Sequence, residues 1–210
     1  MQGENDGTAD LKFDFSGKTV FVTGASRGIG REIREMGAQV TCLALDQRDT
    51  SAIRAQIAPL GPIDVLVNNA GVEEVRATLD VDEALWDKIV DTNLKGAFFV
   101  AQAVAAQMAE AGRGAISKSG ILGMTRAMAA EWAPKGIRVN AIAPGYFETD
   151  MTSVFYEDKD WVARMVGSIP AGRLGDLADL TGAVRFLASS GANYIAGQCV
   201  VIDGGYLANI

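Results

Sequence analysis

Gly24, Gly28 and Gly30, spaced G-x-x-x-G-x-G, stand directly after the run Thr19-Val20-Phe21-Val22. A strand that enters such a turn and leaves it as a helix presents unpaired backbone N–H groups at a helix N-terminus. There they and the helix dipole attract a pyrophosphate. Gly24 suits the tight turn, Gly28 a close backbone approach, and Gly30 close helix–sheet packing. The spacing differs by one residue from the commoner dinucleotide fingerprint, and in a chain with 24 glycines it also suits a purely structural turn. Three further stretches carry comparable chemistry. Strand-like Ile63-Asp64-Val65-Leu66-Val67 runs into Asn68-Asn69-Ala70-Gly71, Asn93 lies within Asp91-Thr92-Asn93-Leu94-Lys95-Gly96, and Pro144-Gly145-Tyr146-Phe147-Glu148-Thr149 follows another apolar run.

Such stretches meet only if a parallel sheet brings its carboxyl ends to one edge. Apolar runs alternating with helical patterns predict that architecture: an α/β, doubly wound parallel sheet in three α/β/α layers, as a single domain. Strands are expected near Thr19–Thr23, Gln39–Leu45, Ile63–Asn68, Gly114–Ile116, Arg138–Ile142 and Cys199–Ile202. Helices are expected near Arg27–Met36, Ser51–Ala58, Asp82–Ala111, Lys118–Ala133, Val162–Met165 and Asp176–Ala188. Residues 1–14 read as a flexible polar extension without the apolar core of a signal peptide, and 15–210 as the domain. The segment Tyr146 to Pro170, after a strand's carboxyl end, is placed to cover a ligand.

Composition narrows the function classes. The chain has 210 residues, enough for one domain with a substantial core. A formal net charge of −7 argues against a nucleic-acid partner, which needs a basic patch. No uninterrupted apolar stretch is long enough for a membrane span, so a cytoplasmic protein is expected. The two cysteines, Cys42 and Cys199, lie in apolar runs and read as buried thiols. With no histidine and no clustered cysteines, no metal site is expected.

In this order the four motifs closely resemble the short-chain dehydrogenase/reductase family, over about residues 15 to 207. The resemblance implies a Rossmann fold, NAD or NADP as cofactor, and hydride transfer between the nicotinamide and a secondary alcohol or ketone. It implies that Gly24, Ser26, Arg27, Gly28, Ile29 and Gly30 cradle phosphates and ribose. Asp46 would meet the adenine, and Asn69, Ala70 and Gly71 would line the adenosine side, although the asparagine amides also suit tying strands together. Pro144, Gly145 and Thr149 would hold the nicotinamide carboxamide, with Phe147 beside it. Of the family's four catalytic groups, Asn93 matches the asparagine and Lys118 the lysine. That lysine also bonds the nicotinamide ribose. A free phenol, with a pKa of about 10, is a poor base at neutral pH, and such a lysine lowers it by stabilising phenolate.

The tyrosine itself is absent. Gly114 stands four residues before Lys118, and the serine expected to end the preceding strand has no clear match, Ser117 resembling instead the small residue before the lysine. A second shortfall follows Gly30: Arg31-Glu32-Ile33 resembles the start of the first helix, and Arg34-Glu35-Met36-Gly37-Ala38 the end of the next. Segments therefore look skipped at 33/34 and 116/117, either because the parent chain is longer or because this is a deletion product or inactive relative. If segments are skipped, Ile33–Arg34 and Ile116–Ser117 should lie far beyond the roughly 3.8 Å of bonded neighbours.

For substrate, Pro144 to Thr152 followed by Ile169 to Gly175 resembles gluconate 5-dehydrogenases and related sugar-acid dehydrogenases. The alternatives are a 3-oxoacyl-[acyl-carrier-protein] reductase and, in another class, an inactive binding or scaffold protein. The resemblance also implies a homo-oligomer, a dimer of dimers, with helices Asp82–Ala111 and Lys118–Ala133 paired across one interface and the tail near Ala196 to Tyr206 forming a second.

Overall fold

The computed structural model describes residues 15–26, 28, 30, 31, 41, 43–119, 122–149 and 153–209, and only the backbone of Lys118, Ser119, Val154 and Phe155. Five parallel strands form one sheet in the order of the chain: β1 (Val20–Val22), β2 (Val65–Asn68), β3 (Gly114–Ser119), β4 (Ile137–Pro144) and β5 (Cys199–Ile202). Between them run helices α1 (Thr50–Ile57), α2 (Glu83–Val90), α3 (Ala97–Ala111), α4 (Leu122–Trp132), α5 (Ser153–Tyr156), α6 (Lys159–Ser168) and α7 (Leu177–Ala188).

Successive strand side chains point to opposite faces, and both faces are apolar. Leu66, Ile116, Ile137 and Val139 pack on one face with Ile53 and Ile57 of α1, Val100 and Val104 of α3, and Met128 of α4. Val65, Val67 and Ile142 pack on the other with Val184 and Leu187 of α7. These two cores make the three layers expected. Polar termini set the helix starts. Asp82 accepts from Leu85 N at 2.8 Å, and Asp176 and Asp179 form a reciprocal capping box at α7. At the far end of α7 the half-buried Arg138 guanidinium donates to the carbonyls of Leu187 and Ala188, in its last turn, and of Ser189 and Ala192 just beyond it. Among the described residues no helix is long and apolar enough to cross a membrane.

Four expectations change. The strand expected at Gln39–Leu45 is not formed at 41 or 43–45, and no described strand flanks the outer edge of β1, so this stretch has no ladder to join. Strand β3 runs three residues further than Ile116, because Ser117, Lys118 and Ser119 keep register with Asn140, Ala141 and Ile142. Lys118 therefore lies on a strand, and α4 starts only at Leu122. Residues Ile116 and Ser117 are consecutive in β3, paired with Val139 and Asn140; the 33/34 join lies outside the described residues. The long helix expected at Asp82–Ala111 is interrupted by a π-helical turn, Asp91–Gly96. Finally, α6 outruns Val162–Met165 at both ends, because the Asp158 carboxylate accepts from Asp160 N and Trp161 N and starts it early.

Residues 28, 30 and 31 are helical, as the reading of Arg27–Met36 expects there; the rest of that helix, with Arg27, Ile29 and Cys42, lies outside the described residues. Cys199 is half-buried rather than buried, and burial raises its thiol pKa.

Candidate active site at the carboxyl ends of the strands

Strands β1, β2 and β3 end side by side. Their last residues meet through the register Val22 to Val67, Val67 to Ser117, and Asn68 to Lys118. The glycine turn folds directly over this edge. Gly24 has φ +66°, a left-handed conformation, and a Cβ there would fall 2.7 Å from Ala70 Cα. A Cβ on Gly30 would collide with Gly24 O and lie 2.7 Å from Asn69 Nδ2. Gly24, Gly30, Asn69 and Ala70 thus form one interlocked layer. Gly28, with φ +53°, differs: among the described residues a methyl placed there would meet nothing nearer than the Thr149 side chain, at 3.7 Å. The turn is closed against the protein at two glycines and open at the third, where Thr149 stands opposite.

Polar side chains fasten this layer. Thr23 Oγ1 donates to Asn68 Oδ1 at 3.2 Å and accepts from Ala70 N at 2.9 Å, while Asn68 Nδ2 reaches Ala97 O at 2.7 Å. Asn69 Nδ2 lies 3.4 Å from Thr23 O and 3.5 Å from Gly24 O. Asn93, in the π-helical turn, pairs reciprocally with the Val72 backbone at 2.8 Å in each direction. Gly71 fits against it, its Cβ position 3.2 Å from Asn93 Oδ1. The Asn93 amide is thereby committed to holding the 71–72 loop. Gln47, 4% exposed, donates from Nε2 to Thr92 O at 2.5 Å and Ala70 O at 3.3 Å, while its Oε1 is buried without a partner.

Most of the expected residues converge. Gly24, Gly28, Gly30, Asn69, Ala70, Gly71, Asn93 and Thr149 share this mouth, and the backbone of Lys118 lies beside Asn68. Pro144 ends β4, and Gly145 donates to Ile202 O at 2.8 Å and rests against Asp203. Ser26 is exposed at the turn. Two residues stand differently. Phe147 is 6% exposed with its ring packed onto Gly175, so it serves as a wall rather than a contact surface. Asp46 lies on the surface, where the Arg48 guanidinium binds both its oxygens at 2.7–3.2 Å and holds its pKa down at about 2.

Two participants escape a reading by motif. Thr23 and Gln47 are buried polar residues in apolar surroundings, and their type there was the available signal, because buried polar groups need partners.

Similarity to known proteins agrees with this geometry. The family model of short chain dehydrogenases matches residues 31–116, and that described as enoyl-(acyl carrier protein) reductase matches 114–207. The 2-dehydro-3-deoxy-D-gluconate 5-dehydrogenase of Escherichia coli (strain K12) is 34% identical, the match covering 93% of this chain and 98% of that one. A crystal structure of a short-chain alcohol dehydrogenase from Sinorhizobium meliloti 1021 is 46% identical, with a TM-score of 0.87, covering 94% and 99% of the two chains. A gluconate 5-dehydrogenase from Burkholderia cenocepacia J2315, solved in complex with NADP and tartrate, is 29% identical with a TM-score of 0.88, covering 94% and 98%. The Escherichia coli match runs over 247 positions, whereas 93% of this chain is roughly 195 residues, so about fifty positions of the relative have no counterpart here. Motif order, parallel sheet and matches along both halves agree: the chain belongs to the short-chain dehydrogenase/reductase family.

Proposed function

We propose that this chain binds NAD or NADP across the carboxyl ends of β1, β2 and β3 and acts on a secondary alcohol or ketone of a sugar acid or polyol. One observation carries the reading: the interlock of Gly24 and Gly30 with Asn69 and Ala70 leaves Gly28 open towards Thr149. A bare, positive-φ glycine at a helix start, with its space unfilled, suits close approach of a phosphate. When bound, the nicotinamide supplies or accepts the hydride. The chain's own residues hold the groove: Thr23, Gln47, Asn68, Asn69 and Asn93 fix the loops by the bonds described, and Lys118 and Ser119 stand at the end of β3. Substrate choice rests on the sugar-acid relatives and on the net charge of −7, which disfavours landing of an acidic acyl carrier.

Thermal unfolding tests the cofactor. NADP+ or NAD+ at a hundred times its dissociation constant should stabilise the fold by about 2.7 kcal/mol. No shift with either nucleotide overturns the reading.

A second reading is an inactive, nucleotide-binding member of the family. The sequence itself favours it, since Gly114 and not a tyrosine stands four residues before Lys118. Intact mass separates the two. A mass near 22.1 kDa supports the inactive protein, and one several kilodaltons higher supports the enzyme with its phenol.

The same reading includes a dimer of dimers in the cytoplasm. A groove of about 370 Å³ between α3 and α4, lined by Phe98, Gln102, Met124 and Trp132, supports helix pairing across a two-fold axis. A monomer by light scattering would exclude that assembly.

A further inference from the structure

Gln47, just before α1, touches two stretches that are distant from it in the chain. Its Nε2 donates to Ala70 O at 3.3 Å, in the loop after β2, and to Thr92 O at 2.5 Å, in the π-helical turn Asp91–Gly96. Its backbone O packs against Gly96 at the end of that turn, in the place a Cβ would need. The same loop and turn meet a second time through the reciprocal pair of Asn93 and the Val72 backbone, at 2.8 Å in each direction. Loop and turn are therefore fastened at two points, and one of them is a single amide. The loop from Asn69 to Val72 and the turn at Thr92 and Asn93 are half-buried, whereas Gln47 behind them is 4% exposed.

Packing alone does not call for an amide here. The Gln47 Oε1 is buried with no partner, a cost that an apolar side chain of the same length would avoid. What the amide adds is its donor end, whose two N–H bonds reach one carbonyl on each side. A π turn is a rare backbone form, and it persists where something outside the helical ladder supports it. Gln47 supports this one twice, with its side chain at Thr92 and its backbone at Gly96. The turn thus has a braced arrangement, with Ala70 O and Thr92 O on one amide, and a released one in which that amide lets go.

We propose that Gln47 is a positioning residue that couples the adenosine side of the groove to the turn carrying Asn93. A ligand that steadies Ala70 steadies Thr92 and Asn93 through the shared amide. This rests on the functional reading above, in which Asn69, Ala70 and Gly71 line the adenosine half of the dinucleotide. It adds a link from that half to a second part of the site. The coupling is a free energy shared by two places, so it acts in both directions.

Amide hydrogen exchange read by mass spectrometry tests it, with ADP as the probe because ADP carries the adenosine half and no nicotinamide. In the wild type, saturating ADP should slow exchange over the turn Asp91–Gly96 about fivefold or more. Gln47→Met keeps the length of the side chain and loses the donor, so the slowing should vanish there at saturating ADP. Trp86→Ala, at a residue 62% exposed on α2, should keep it. Each protein is compared with itself with and without ADP, so a general loss of stability does not imitate the result. Equal slowing in the wild type and Gln47→Met overturns the coupling, as does loss of all ADP binding in Gln47→Met, which makes Gln47 a binding residue instead. Absence of slowing in the ADP-bound wild type overturns it without any variant. So does failure of ADP to bind a wild type that binds NAD+ or NADP+. Failure of ADP, NAD+ and NADP+ alike overturns the cofactor reading, and the coupling with it.

Discussion

Gly30 and Gly28 differ in what a single methyl would meet, and this separates folding from binding at one turn. At Gly30 the methyl strikes Gly24 O and the Asn69 amide, so Gly30→Ala must spread the turn from β2. Such overpacking costs about 1–3 kcal/mol, and urea unfolding should show the loss together with loss of the NADP+ melting shift. Gly28→Ala meets nothing closer than 3.7 Å, so its cost comes from the left-handed φ and is smaller, while the methyl enters the open space facing Thr149. Its expected signature is weakened NADP+ binding with a smaller fall in stability; equal falls for both variants would argue against an open phosphate position. Gln47→Leu leaves the carbonyls of Ala70 and Thr92 without their donor, and an unfolding free energy about 1–3 kcal/mol lower is expected.

Some helix starts and strand ends are written in the residues, and others are set by distant contacts. Asp176 at the N-cap, where the expected helix begins, forms a reciprocal box with Asp179, and Asp176→Ala should lower stability by about 1 kcal/mol in a denaturant titration. The apolar runs Val65-Leu66-Val67 and Cys199-Val200-Val201-Ile202 place β2 and β5 closely. The glycine turn and the Asn69-Ala70-Gly71 end are legible for the same reason: glycine and asparagine at a strand end have few other uses. Ser117-Lys118-Ser119 is not legible as strand, because polar residues there are held by ladders to β2 and β4 that no local pattern announces. Nor is the π-helical turn. It exists because Gly96 abuts Gln47 O and Asn93 grips Val72, contacts distant in sequence. Asp46 reads as an adenine contact from its place after an apolar run, and an arginine two residues on gives it a local partner at the surface.

At the scale of the whole molecule, one partly buried acid-responsive group stands at the amino end of β2. Burial raises the Asp64 pKa, but bonds from Thr19 N and Lys18 and the nearby Arg113 charge outweigh it and hold the carboxyl below its ordinary value. Its contribution is thus full above about pH 4, the unfolded-chain value, and is lost as pH falls through the lowered one. Asp64→Asn should flatten the stability profile below about pH 4 and leave its shape near neutrality unchanged, as melting curves across pH would show. The sheet order, β1 through β5 in chain sequence, reaches further still. Among the described strands none has to be wedged between two already joined, so a chain emerging from the ribosome can add each of them to the rim of what has formed. Stalled at Pro144, it would expose the flank of β4 as a sticky border, and chains arrested there should aggregate more than those arrested after Ile202.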